Sequence, residues 1–470
     1  MFEALRERQH LLGVAPHLTN TLATLMPCYK RWEVPYFWAG LKAYDVVAGR
    51  ASLPWSHLVS ASGAKTLFPT LAEDRPGGAR LKAAVVYYDG QMDDARLNVA
   101  LATSACMAGA VVANHTRAVA LTTTPAGRVV GAVLEDALTG ERFSVDARVV
   151  VNAAGPFCDA VRRLADPAAL PMITPSCGTH LTLPASFAPG ATGLIIPKTD
   201  DGRVVFLLPW LGRLVAGTTD APCAVSPAPR PTLAEVDFIL ATLGGYLGRP
   251  PLRGDVLSAW SGIRPLAAHA SPQGSTENMT RDHVVAHERG LISVVGGKWT
   301  TYRRMAADVV DAALHQLELP PRPCVTRGLR LTGAAGWSPQ LCDRLLAEGA
   351  SDMHVATHLA RAYGDRASEV LLIAAQRGLG KRLSPSFPDI EAEVVFSARS
   401  EFCQTANDFL ARRSRLMFLD TRAAEAAIPR VVQLLGDELG WSMARRRAEV
   451  AATAAFLQTF IYPSDAMTSH

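Results

Sequence analysis

The chain has 470 residues, of which 49% are hydrophobic and 19% charged, enough apolar side chain to fill two or three packed domains and too much for a disordered or collagen-like polymer. Lys plus Arg number 47 against 43 Asp plus Glu, a net charge of +4. A balance that even gives no grounds for a nucleic-acid-binding surface.

The first residues, MFEALRERQHLLG, carry Glu3 and Glu7. They have neither the apolar core of a signal peptide nor the acid-poor, Arg- and Ser-rich character of a transit peptide, so no targeting segment is expected here. Phe2, Leu5 and Leu12 among charged residues suit an amphipathic helix over 2–12. The stretch 28–44 then gathers six aromatic residues (Tyr29, Trp32, Tyr36, Phe37, Trp38, Tyr44) beside Lys30, Arg31 and Lys42. Two readings are open for it: a bilayer interface, where rings sit at headgroup depth and cations meet phosphate, or a helix pair packed on a core. Residues 1–80 read as a helical linker and the start of a substrate domain.

From Leu81 the pattern becomes strand, helix and strand: 83–88, then 93–110, then 118–121. The uncharged stretch between Arg96 and Arg117 contains Asn98, Thr103, Ser104, Asn114 and His115, which favours a buried helix over a membrane span. Strands follow at 129–135 and 143–145. The apolar run Ala147–Val151 then stops at Asn152-Ala153-Ala154-Gly155-Pro156, with a helix restarting at Phe157. A buried strand delivering a small-residue turn to a helix start is how a doubly wound sheet offers backbone amides to a ligand. Gly155 and Pro156 are the first cofactor-binding candidates, although a plain strand-to-helix turn has the same pattern.

Residues 169–285 read as short strands broken by Pro and Gly (179–183, 193–196, 204–208, 214–217), an antiparallel β domain inserted between halves of the first. A hairpin of 283–287 and 291–295 then delivers Gly296-Gly297-Lys298-Trp299-Thr300-Thr301-Tyr302-Arg303 to another helix start, and an amphipathic run reaches Leu319. Past Pro320-Pro321-Arg322-Pro323 the periodicity is helical, as in 351–363 and 365–376, so 325–470 form a helical C-terminal domain. Eight cysteines (Cys28, Cys106, Cys158, Cys177, Cys223, Cys324, Cys342, Cys403) lie far apart with no CxxC pair. They read as reduced, intracellular thiols with no metal-ligand spacing, and no metal site is expected.

Five collinear segments carry a family resemblance: Tyr87–Asn98, Asn152–Pro156, Gly217-Thr218-Thr219-Asp220, Trp260-Ser261-Gly262-Ile263-Arg264-Pro265-Leu266 and Gly296–Arg303. With Phe387–Glu393 and Arg412–Leu416 near the end, the chain resembles the FAD-dependent glycerol-3-phosphate dehydrogenases of the mitochondrial type. The resemblance implies an α/β plus α+β architecture, the FAD-dependent oxidoreductase fold. Its dinucleotide-binding domain is partial and split over 81–168 and 286–320, with the β substrate domain at 169–285 inserted and the helical domain at 325–470. It also implies oxidation of sn-glycerol 3-phosphate to dihydroxyacetone phosphate, with hydride passing from carbon 2 to the flavin and electrons continuing to ubiquinone. Further implications are a peripheral place on the mitochondrial inner membrane and a homodimer as the assembly to test. The family's GxGxxG turn is missing; Gly244-Gly245-Tyr246-Leu247-Gly248 has the wrong spacing. In the family that turn would precede Met1, so a second expectation is a truncated, non-catalytic member acting as a binding or oligomerisation module.

On the family motifs, Arg264 and Lys298 are the cations for a dianionic phosphate, Arg as a two-pronged donor and Lys as a compact charge. Gly296 and Gly297 bring main chain close to the flavin, followed by Lys298, Trp299, Thr300 and Thr301 at a helix start whose dipole favours the reduced ring. The threonines serve equally as helix caps. His180 matches a family histidine and is either the base for the carbon-2 hydroxyl or a core residue. Thr219 and Asp220 are candidates to contact substrate or orient a cation, with turn capping as the alternative for Asp220.

Overall fold

The computed structural model describes residues 2–49, 53–199, 202–268 and 283–463. Its largest element is a nine-stranded sheet. From one edge run Ala221–Pro222, Ile173–Leu183, Arg213–Gly217, Val205–Trp210, Thr192–Ile196, Thr19–Cys28, Ala83–Met92 and His57–Ser60, and Ser258–Ala267 lies along Ile173–Leu183. The helix Leu233–Gly244, opened by a reciprocal Thr232/Glu235 cap, covers this sheet. Val236, Ile239 and Leu243 are buried there with Leu25, Leu181, Leu194 and Leu207.

Two expectations are corrected here. Thr19–Cys28 lies in a stretch expected to be helical, yet it is a strand, antiparallel to Ala83–Met92 and parallel to Thr192–Ile196. Its partners lie about 65 and 170 residues away, where backbone pairing outweighs local propensity. For the same reason Ala83–Met92 belongs to the large sheet and not to the dinucleotide-binding part expected over 81–168. The helix after it, Asp94–Met107, is capped by Asp93 and leads to a separate antiparallel meander of Thr116–Thr123, Val129–Asp136 and Arg142–Asp146. The large sheet therefore crosses position 81, where a boundary had been expected.

The dinucleotide-type layer is smaller. Val150–Asn152 runs parallel to Leu291–Gly296, which pairs with His283–Glu288 in the expected hairpin. The helices Cys158–Ala165 and Tyr302–Gln316 follow the two parallel strands.

Residues 341–457 hold eight helices, as the periodicity predicts. Asp352 caps the helix Met353–Tyr363 by accepting from the Val355 N–H at 3.0 Å, and Gly364 closes it at φ 59°. Phe387, Phe396, Phe409 and Leu410 fill their common core. Trp210 and Trp260 of the large sheet pack against that core. The seam is also hydrogen-bonded: Thr182 Oγ1 donates to the Phe418 carbonyl at 2.6 Å and Ser258 Oγ to that of Met417 at 2.9 Å. All eight cysteines are free thiols. Among the described residues no helix is long and apolar enough to cross a membrane.

Candidate active site

Three neighbouring strands bring four of the candidate residues together. Side chains alternate along a strand, so Ser176, Gly178 and His180 share one face of Ile173–Leu183. Their partners across the pair, Arg264, Gly262 and Trp260, share the same face of Ser258–Ala267. The Arg264 guanidinium therefore lies flat across Gly178. It donates to Thr218 Oγ1 at 3.0 Å, to the Thr219 carbonyl at 3.3 Å and to Asp220 Oδ1 at 3.3 Å. Asp220 also accepts from Ser176 Oγ. These acceptors fix the guanidinium yet leave its side chain 35% exposed, open on one side to an anion. Thr219 is placed differently from a substrate ligand: its hydroxyl is buried, accepts from the Thr179 N–H at 2.9 Å and donates to Glu235 at 2.7 Å. What Thr219 presents to the site is its carbonyl.

His180 stacks on Trp260 at 5.7 Å between centroids with an interplanar angle of 16°, and Phe206 flanks it at 5.7 Å. Burial first, then the charge of Arg264, lower its pKa to about 4, against a weaker opposing pull from Asp94. The imidazole is neutral at physiological pH. Behind Trp260 stand Phe418 at 5.0 Å and Trp210 at 5.9 Å. Arg415 lies over both Trp210 and Phe418 and pairs with Asp94 at 3.3 Å. Sequence reading assigned no role to Gly178, Trp260 or Arg415. Trp260 and Arg415 stand in motifs that carry the resemblance, but only the strand pairing shows that Gly178 lies under the arginine and Trp260 under the histidine.

The glycine turns form the second half. Val150–Asn152 and Leu291–Gly296 are parallel neighbours, so their turns emerge side by side at the same end of the sheet, the location of ligand crevices in open α/β sheets. Asn152 locks them: its buried amide donates to the Cys158 carbonyl at 3.0 Å and to Ser293 Oγ at 3.2 Å, while its oxygen accepts from the Ala154 N–H. Gly296 and Gly297 take φ of 74° and 75°, and a Cβ on Gly297 would stand 2.5 Å from Met305 Sδ. Gly155, also at positive φ, has nothing within 4 Å of where its Cβ would lie, so the main chain there borders open space. Neither Cys158–Ala165 nor Tyr302–Gln316 has a side-chain cap on its first amides. Uncapped helix starts beside half-buried glycine backbone suit an anionic cofactor.

Pro156 sits in the short turn Gly155–Phe157 that touches the Arg264 strand. Ala267, Val295, Cys158 and Ile173 form one apolar cluster that joins the two halves. Lys298 is exposed and makes no ion pair among the described residues. Trp299 and Thr300 follow it in a 3-10 turn that Thr301 Oγ1 closes, donating to the Lys298 carbonyl at 2.9 Å and accepting from the Lys298 N–H at 3.3 Å, while it caps no amide of the helix that follows. Arg303, the last residue of that motif, is buried in a two-pronged pair with Glu7 at 2.8 and 2.5 Å, fastening the first helix to this turn.

Comparison with known proteins gives the same assignment. Residues 2–303 match the model for FAD dependent oxidoreductases, and 324–446 that for the C-terminal domain of alpha-glycerophosphate oxidase. The mitochondrial glycerol-3-phosphate dehydrogenase SDP6 of Arabidopsis thaliana is 49% identical over 98% of this chain and 76% of its own length. The mitochondrial glycerol-3-phosphate dehydrogenase of Mus musculus is 45% identical over 97% of this chain, which spans 63% of that protein. Among solved structures, the glycerol-3-phosphate dehydrogenase of Bacillus halodurans complexed with FAD superposes with a TM-score of 0.79 at 26% identity, covering 97% of this chain and 85% of that one. This chain belongs to the FAD-dependent oxidoreductases of the glycerol-3-phosphate dehydrogenase family.

Proposed function

We propose that the chain oxidises sn-glycerol 3-phosphate to dihydroxyacetone phosphate with FAD, in the service of ubiquinone at the surface of the mitochondrial inner membrane. The observation that carries this reading is Arg264, held flat over Gly178 by three acceptors with one side open, on a strand packed against the twin glycine turns. A two-pronged donor fixed by neighbouring acceptors and still partly exposed is suited to a phosphate.

Gly155, Pro156, Gly296, Gly297 and the first amides after Trp299 and Thr300 are the residues that would hold FAD. Bound there, it supplies the two-electron acceptor that alcohol oxidation requires. The chain's own residues bind and orient the substrate. Arg264 and Lys298 take the phosphate, and Asp220 holds Arg264 in place. His180, neutral and clamped on Trp260, accepts the hydroxyl proton of carbon 2. In the free protein Arg264 depresses its basicity; a dianion on Arg264 offsets that charge and raises the imidazole toward the range a general base needs. The relatives' mitochondrial names and the exposed rings of Trp32, Tyr36 and Trp38 beside Lys30 and Arg31 support the membrane surface.

The test is the visible absorbance of the purified chain with added FAD. Retained flavin bands that bleach with glycerol 3-phosphate, and not with glycerol, are expected. Absence of retained flavin would support the non-catalytic module.

A further inference from the structure

Among the described residues, one group of metal-ligating side chains lies outside the site, in the helical C-terminal part. His358 stands on the helix Met353–Tyr363, Asp389 just before the helix Glu391–Ser400, and Glu393 in its first turn. The His358 Nε2 is 2.8 Å from Glu393 Oε2 and 3.8 Å from Asp389 Oδ1, and the three ligand atoms lie within 4.8 Å of one another. Glu393 is fully engaged: Oε1 accepts from the Ile390 N–H at 2.6 Å and Oε2 from the Tyr363 hydroxyl at 2.8 Å. Asp389 is not. It is 2% exposed, and its Oδ1 faces His358 with no hydrogen-bond partner.

An orphaned carboxylate oxygen is expensive in a protein interior, and the nearby cations are committed elsewhere. Arg96 grips Glu401 with both prongs, and Arg382 grips Asp352. Two buried carboxylates thus face one imidazole.

We propose that His358, Asp389 and Glu393 bind a divalent metal ion of the zinc class that ties the two helices together. One imidazole nitrogen and two carboxylate oxygens form a ligand set that zinc accepts. Tetrahedral bonds of about 2.0–2.1 Å separate neighbouring ligand atoms by about 3.3 Å; the 2.8 and 3.8 Å seen here straddle that value. Tyr363 orients Glu393 as an outer partner orients a ligand. The His358 side chain is 17% exposed, so one edge of the cluster meets solvent. Binding replaces the Nε2 proton of His358, so a proton is released as the metal enters. His358 and Glu393 lie 35 residues apart, and this is why no spacing in the sequence revealed them.

The test uses the full chain stripped with EDTA, then titrated with zinc by calorimetry and with cobalt by visible absorbance. Melting is followed with and without zinc. One zinc per chain, proton uptake by the buffer and a higher Tm are expected. Asp389→Asn and His358→Gln should each weaken zinc at least about tenfold and lose the zinc-dependent rise in Tm. His287→Gln, an exposed histidine elsewhere, should change neither. Asp389→Asn removes the orphaned charge, so without zinc it should melt no lower than the parent; if it fails to fold, His358→Gln carries the test. No stoichiometric zinc on the parent chain, or unchanged affinity in the folded variants, overturns the proposal.

Discussion

Gly178 lies directly beneath Arg264: a Cβ on Gly178 would stand 2.4 Å from one terminal nitrogen of the guanidinium and 2.8 Å from its central carbon. The neighbour in that clash is the charged end of the side chain that we assign to the phosphate. Any side chain at 178 therefore displaces the binding group itself and leaves the sheet intact.

Gly178→Ala should raise KM for glycerol 3-phosphate by about tenfold or more, the effect of weakening one charge-assisted hydrogen bond, while thermal stability changes little. Steady-state kinetics beside a melting curve checks this. An unchanged KM would mean that Arg264 does not hold the phosphate.

Arg264→Ala and Lys298→Ala should each raise KM by roughly tenfold to a hundredfold, corresponding to about 1.5–3 kcal/mol for a lost charged partner. Inhibition by inorganic phosphate should weaken in parallel. An increase of KM below about twofold for either variant would remove that residue from the phosphate site.

Arg96 and Glu401 form a buried two-pronged pair at 2.6 and 2.7 Å that joins the helix Asp94–Met107 to the helical C-terminal part. Arg96 also donates to the Ala362 carbonyl and lies over the Tyr363 ring. Glu401→Gln leaves the guanidinium buried without its counter-charge and should lower unfolding free energy by about 3–5 kcal/mol. Urea denaturation measures it; a loss under about 1 kcal/mol would show that the seam does not depend on this pair.

His17 and His180 both have folded pKa values lowered to about 4, in each case by burial first and then by a neighbouring arginine. The unfolded chain binds protons at these positions near pH 6.5 and the folded one does not, so acid favours unfolding. Their stabilisation is complete above about pH 6.5 and falls toward pH 4 by roughly 1.4 kcal/mol per pH unit for each group. His17→Gln should flatten the decline in Tm over that interval.

Trp32 is 57% exposed, Tyr36 65% and Trp38 44%, with Trp32 and Tyr36 in edge contact at 5.9 Å. Replacing all three by alanine should release the chain from vesicles of anionic lipid without lowering its Tm, because these rings bury little in the protein. Vesicle sedimentation checks this; undiminished binding would move the membrane contact elsewhere.

Much of the molecule was legible from local pattern. Strand-to-glycine-to-helix turns at Asn152–Pro156 and Gly296–Arg303, and the helix that Gly364 closes, follow from groups within a few residues of each other. So does the pairing of candidate motifs with a family. The strand read at 179–183 contained His180 but stopped short of Gly178, and the strand facing it could not be read off. What tertiary structure decided was every relation between distant segments: Thr19–Cys28 as a central strand, Trp260 as the platform for His180, and Thr219 turned inward to Glu235. To these it added the seam formed by Arg415 and Phe418, and the meeting of His358 with Asp389 and Glu393. Sequence periodicity reports which side chains share a face, because backbone geometry repeats every two or 3.6 residues. It carries no information about which face another segment will cover, and burial, charge pairing and basicity at this site all depend on that covering.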